Sequence, residues 1–129
     1  MCGIIGYVGS RECKALLLQG LERLEYRGYD SSGIALLETD GLDYVRAVGP
    51  LGNLKARAGS NGSTATTGLG HTRWATHGAV TEANAHPLAG CQPSKLSIVL
   101  NGIVENYREL TASLLEDGHT FTSETNGMS

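Results

Sequence analysis

The chain has 129 residues, enough for one domain, and ten Lys and Arg against thirteen Asp and Glu leave a net charge of −3. That balance speaks against a general binder of nucleic acid or anionic membrane, and no apolar run reaches the roughly 20 residues of a membrane span. Gly is about twice as frequent as usual at 18 residues, but Pro is only 3 and no triplet period runs through the chain, which excludes collagen, while 40% hydrophobic residues exclude a disordered tail.

In chain order, Cys2–Val8 is short, apolar and β-branched and predicts a buried strand. Ser10 is a plausible N-cap for a helix over Arg11–Tyr26, where Leu17, Leu21 and Leu24 form one stripe, with Arg27-Gly28 ending it. Ser32–Glu38 and Leu42–Val48 read as two strands joined around Asp40-Gly41, and Leu51–Ala58 as a short helix. The polar stretch Ala58–Thr67 is a loop, Gly68–Ala75 a strand carrying polar residues, and Thr76–Ser94 mostly loop. Leu96–Leu100 predicts a strand, Asn101-Gly102 a turn, and Val104–Asp117 a helix capped by Gly118. His119–Thr122 opens another strand. The order is mixed α and β, without regular βαβ alternation.

Four clusters could carry chemistry. Removal of Met1 would put a thiol and a free α-amine on Cys2, with ordinary pKa values close enough for one to deprotonate the other near neutrality; the alternative is a small buried hydrophobe. In Tyr26–Ala35, two Gly around Arg27 and Asp30 suggest a constrained loop with an internal Arg–Asp pair, or an ordinary connection. In Gly68–Gly78, an extended backbone turns His71, Arg73 and Ala75 one way and Thr72, Trp74 and Thr76 the other. Arg73 could seat a carboxylate through its fork of donors, or it could be solvated beside a core Trp. Asn101-Gly102 after an apolar strand is a turn, or a side-chain amide beside a backbone N–H, the pair an oxyanion hole needs. His71, His77 and His86 match no zinc spacing, so no metal is expected. Cys2, Cys13 and Cys91 form no CxxC or disulfide framework, and a reducing cytoplasm is the default expectation.

Taken together, MCGIIGYVG, LERLEYRGYDSSGIA, GLGHTRWATHG, NAHP, NGIVENYREL and SET resemble the N-terminal domain of the class II glutamine amidotransferases, within it the branch that forms amino sugars. The resemblance covers Cys2 to Thr125. It implies an α+β fold of the N-terminal nucleophile hydrolase type, with stacked antiparallel sheets flanked by helices. It implies that Cys2 attacks the side-chain amide of L-glutamine, with its own α-amine as base, and that the Asn101 side chain and Gly102 N–H form the oxyanion hole. Arg73 would bind the substrate α-carboxylate, with Thr76 and His77 lining the same pocket. Trp74 would close the site and gate the ammonia path, and Arg27 would position. No cofactor is implied. In the full enzyme the ammonia goes to fructose 6-phosphate on a synthase domain, giving glucosamine 6-phosphate, and a homodimer is expected.

The sequence also departs from the family. Asn126 stands where the family carries an Asp that holds the substrate ammonium, Leu100 precedes Asn101 in place of His, and Leu88 follows His86-Pro87 in place of a further His. The expectation is a partial amidotransferase domain over residues 2–129 without sugar-phosphate isomerase domains. An inactive remnant, or a module that only binds, is the competing expectation.

Overall fold

The computed structural model describes residues 2–60, 62–75 and 78–124, with Arg27 described in its backbone only. Its frame is a four-stranded antiparallel sheet in the order β1 (Gly3–Val8), β4 (Thr67–Arg73), β2 (Ser31–Glu38), β3 (Gly41–Val48). Two helices, α1 (Lys14–Leu24) and α2 (Leu51–Ala58), cover one face. The alternation of the strands decides which residues meet them. Ile5, Ile34, Leu36, Val45 and Ala47 point to the helices and pack with Leu17, Leu21, Leu51 and Leu54. Each fully buried Leu or Ile in that cluster is worth about 1.5–3 kcal/mol against exposure.

Glycine sets how close α1 can lie. Gly68 and Gly70 are the helix-facing residues of β4, and a Cβ there would stand 2.7 Å from Leu17 Cδ1 and 2.8 Å from Ile5 Cγ2 respectively. Their bare backbone lets the leucine stripe rest on the sheet. The helix itself is shorter than its sequence signal: it begins at Lys14, and Ser10 does not cap it. The Cys13 N–H donates instead to Ala65 O at 2.9 Å, tying the helix start to the segment before β4. At its other end α1 tightens into a 3₁₀ turn, Glu25–Arg27, which stops at Gly28 with φ 74°.

The opposite face is crossed by residues 84–98. Gly33 of β2 has no side chain there, and a Cβ would collide with His86 O. Tyr44 donates from its hydroxyl to Pro93 O and Leu96 O, both at 3.0 Å. The expected strand over Leu96–Leu100 shrinks to β6 (Ser97–Ile98), paired with β5 (Leu88–Ala89). A third helix, α3 (Tyr107–Glu116), has no buried residue. The expected strand at His119–Thr122 is not formed; the His119 N–H instead closes the helix end on Leu114 O at 2.9 Å.

Candidate active site

The sheet register assembles the site. Gly3 pairs with Thr72 across β1 and β4, and Ser31 pairs with Arg73 across β2 and β4. The start of β1, the end of β4 and the start of β2 therefore share one edge of the sheet. Cys2, Arg73, Trp74 and Asp30 must lie side by side there, although they come from three separate parts of the chain. The Cys2 Sγ accepts from the Trp74 backbone N–H at 3.2 Å and lies 3.7 Å from Trp74 O. Asp30 closes the corner: its N–H donates to Arg73 O at 2.8 Å, and its Oδ2 accepts from the Ala75 N–H at 2.7 Å. The Trp74 ring is half exposed and lies over Gly28 at the exit of the 3₁₀ turn.

Arg73 is buried, on the face of β4 away from the helices, and its Nη1 donates to Ala79 O at 3.1 Å. Asn84, also buried, donates through Nδ2 to the same carbonyl at 3.0 Å and to Glu124 Oε2 at 3.3 Å, and its Oδ1 accepts from the Glu124 N–H at 2.7 Å. The NAHP and SET segments are thus joined, and their junction stands behind Arg73.

A polar row runs from the sheet to Cys2. His71 is buried beside Arg73's face of β4 and stacks on His86, ring centroids 4.4 Å apart. Its Nε2 lies 2.8 Å from Asn101 Oδ1, and Asn101 Nδ2 donates to Cys2 O at 3.1 Å. Burial pushes the His71 imidazole down to about 4, helped by the nearby Arg73 cation and opposed by the Asn101 hydrogen bond. His86 falls to about 3, chiefly through burial and then through His71, Arg73 and Arg46. Both rings are neutral at neutral pH.

The structure brings Cys2, Arg73, Trp74, Asn101 and Gly102 to this edge, with Gly102 exposed in the turn after Asn101. Thr76, His77 and Asn126 lie outside the described residues, as does the side chain of Arg27. Asn84, His86 and the Asn101 contact of His71 were not read from the sequence as parts of the site. The only sequence hints were NAHP as a motif and the shared facing of His71 and Arg73. A groove of about 450 Å³ lies elsewhere, between Gly6, Ala35, Leu37, Leu42, Leu69 and Leu96 on the far part of the same sheet face. No group of His, Cys, Asp and Glu among the described residues could hold a metal.

Residues 57–127, more than half the chain, match the family model of the glutamine amidotransferase domain. The chain belongs to that family. Among curated relatives it is 53% identical over 126 residues to a glutamine–fructose-6-phosphate aminotransferase (isomerizing) of Gloeobacter violaceus. It is 50% identical over 125 residues to proteins of the same name from a Synechocystis strain and from Thermus thermophilus. In each case the match takes in 97% of this chain but 20% of the relative, so the chain spans about a fifth of their length. Among solved structures, a glutamine phosphoribosylpyrophosphate amidotransferase from B. subtilis superposes with TM-score 0.80 at 22% identity, over 98% of this chain and 27% of that one. A structure described as the allosteric regulatory enzyme of purine biosynthesis gives 0.79 at 23%, over 98% and 28%. These superpositions show that the chain shares the α+β fold of those two structures.

Proposed function

We propose that this amidotransferase chain hydrolyses the side-chain amide of glutamine, with Cys2 as nucleophile once Met1 is removed. The observation that carries the reading is the seat of Cys2. Its sulfur is fixed on the Trp74 peptide, its carbonyl is held by the Asn101 amide, and the buried Arg73 sits next to Trp74. The Cys2 thiolate would attack the amide carbon, and the α-amine would carry the thiol proton to the leaving nitrogen as ammonia departs. Water would then cleave the glutamyl thioester to glutamate. The NH2 of Asn101 and the N–H of Gly102 would receive the charge that develops on the amide oxygen. Arg73 would pair with the substrate α-carboxylate, with Trp74, Thr76 and His77 around it, Arg27 positioning, and Asn126 reaching the ammonium.

By the printed name of the relatives, the ammonia would go to fructose 6-phosphate. That step belongs to a synthase region outside the fifth of their length matched here, and residues 2–129 would be part of the glutaminase domain. No described helix is long and apolar enough to cross a membrane, and a biosynthetic role with free thiols suits the cytoplasm, with homodimers in the full enzyme. A binding-only module is favoured by one observation, the uncharged Asn126, because a charge-assisted bond is about twice as strong as a neutral one. Glutamate release from glutamine, compared with Cys2→Ala, separates the two. We expect release by the natural chain and none by the variant; equal background in both would support the binding module.

A further inference from the structure

We infer that His71 is a positioning residue for the oxyanion hole: its Nε2–H clamps the Asn101 side-chain amide so that the NH2 faces Cys2. This rests on the glutaminase reading above. The argument is one of donors and acceptors. Cys2 O can only accept, so the part of the Asn101 amide 3.1 Å away must be the NH2. That turns Oδ1 to His71 Nε2 at 2.8 Å, and Nε2 must then carry the hydrogen. A neutral imidazole carries one, so Nδ1 is bare.

Nδ1 is buried and has no hydrogen-bond partner, a place that suits a lone pair far better than an N–H. The opposite arrangement would set Oδ1 against Cys2 O, two acceptors face to face, and would bury an unpaired Nδ1–H. Every contact selects the same orientation. The NH2 has two hydrogens, and Cys2 O takes one. The second is left for an oxygen forming beside the Cys2 sulfur. His86 stacks on the ring and fixes its plane, and Gly33 lets His86 approach the sheet.

Two measurements on the full chain test this. Long-range proton–nitrogen NMR on His71 should show the Nε2–H tautomer, and His71→Leu should shift the Asn101 side-chain NH2 signals. An Nδ1–H tautomer, or Asn101 signals unmoved in the variant, overturns the clamp whether or not the chain turns over glutamine. The second measurement is a double-mutant cycle on glutamine hydrolysis. Losing one oxyanion donor costs about 10²–10³ in kcat, and His71→Leu should approach the lower end with KM little changed. His71→Gln, which can still donate to Oδ1, should recover part of the loss. In an Asn101→Ala background His71→Leu should cost almost nothing more, because its action runs through the missing amide. Losses that multiply in the double variant, or a fall in kcat that Gln does not relieve, would mean that His71 only supports the fold.

Discussion

The Arg73 guanidinium is buried on the sheet face that carries His71 and is covered there by His86, and a buried cation is costly unless it is held by oriented partners. Ala79 O supplies one of them, and a substrate carboxylate would supply the charge. Arg73→Ala should therefore raise KM for glutamine more than it lowers kcat. A hydrogen bond to a charged group is worth about 1.5–3 kcal/mol, or roughly 10- to 10²-fold in affinity. Steady-state kinetics check this, and an unchanged KM would remove Arg73 from the substrate site. The two histidines give a pH signature. Their folded values, about 4 and about 3, lie below the ordinary value of 6.5. The unfolded chain therefore binds protons first as pH falls. Their contribution to stability is complete above about pH 6.5 and is lost progressively toward about pH 4 for His71 and about pH 3 for His86, by up to about 1.4 kcal/mol per pH unit for each ring. Arg73 faces both rings and Arg46 faces His86 as fixed positive charges, and they are part of what holds these values down. Thermal melts between about pH 7 and about pH 5 should show a falling Tm, above the range where most carboxylates titrate; a flat Tm would show that the rings titrate as exposed histidines do.

At the scale of elements, the packing of α1 on β4 depends on residues without side chains. Gly68→Val would drive a branched side chain into Leu17 and the Ala35 carbonyl, where a Cβ alone already stands 2.7 and 2.8 Å away. Overpacking of this kind costs about 1–3 kcal/mol, and more where backbone must move. Denaturant melts should show a clear loss for Gly68→Val and almost none for Gly52→Ala, since a Cβ at Gly52 meets nothing within 4 Å. Equal losses would mean that α1 does not rest on β4 as described. The elements with strong local signals were legible in the sequence: the β2–β3 hairpin from its apolar runs around Asp40-Gly41, α2 almost residue for residue, and the leucine stripe of α1. The start of α1 was not, because the Cys13 N–H is taken by Ala65, a partner 52 positions away that no local pattern announces. The apolar run Leu96–Leu100 gave too long a strand for a similar reason, since among the described residues only Leu88 and Ala89 pair with it. The site divides in the same way. Cys2, Arg73, Trp74 and Asn101 were readable as chemistry-bearing types in motifs, whereas Asn84, His86 and the clamp from His71 exist only through long-range geometry.

Across the whole molecule the two sheet faces differ. One is closed by α1 and α2. The other is closed near Cys2 by residues 84–88 but presents an apolar groove farther along, where Val8, Leu37 and Leu96 are 84%, 49% and 58% exposed. A surface of that kind favours association. Sedimentation should show the chain self-associating as its concentration rises, and Leu37→Lys should weaken this without altering the site; a strictly monomeric chain would contradict it. At the opposite end of the same sheet, the register sets Cys2 beside Trp74 and Asn101, next to the buried Arg73, the place proposed for glutamine. The chain offers its own comparison, because Cys13 is buried and Cys91 is exposed. The most direct measurement is mass-spectrometric mapping of the thiols after brief exposure to an electrophilic glutamine analogue. Modification should fall on Cys2 in preference to the more accessible Cys91, and free L-glutamine should slow it. Labelling led by Cys91, with no protection by glutamine, would contradict the assignment of Cys2 as the nucleophile of a glutamine site.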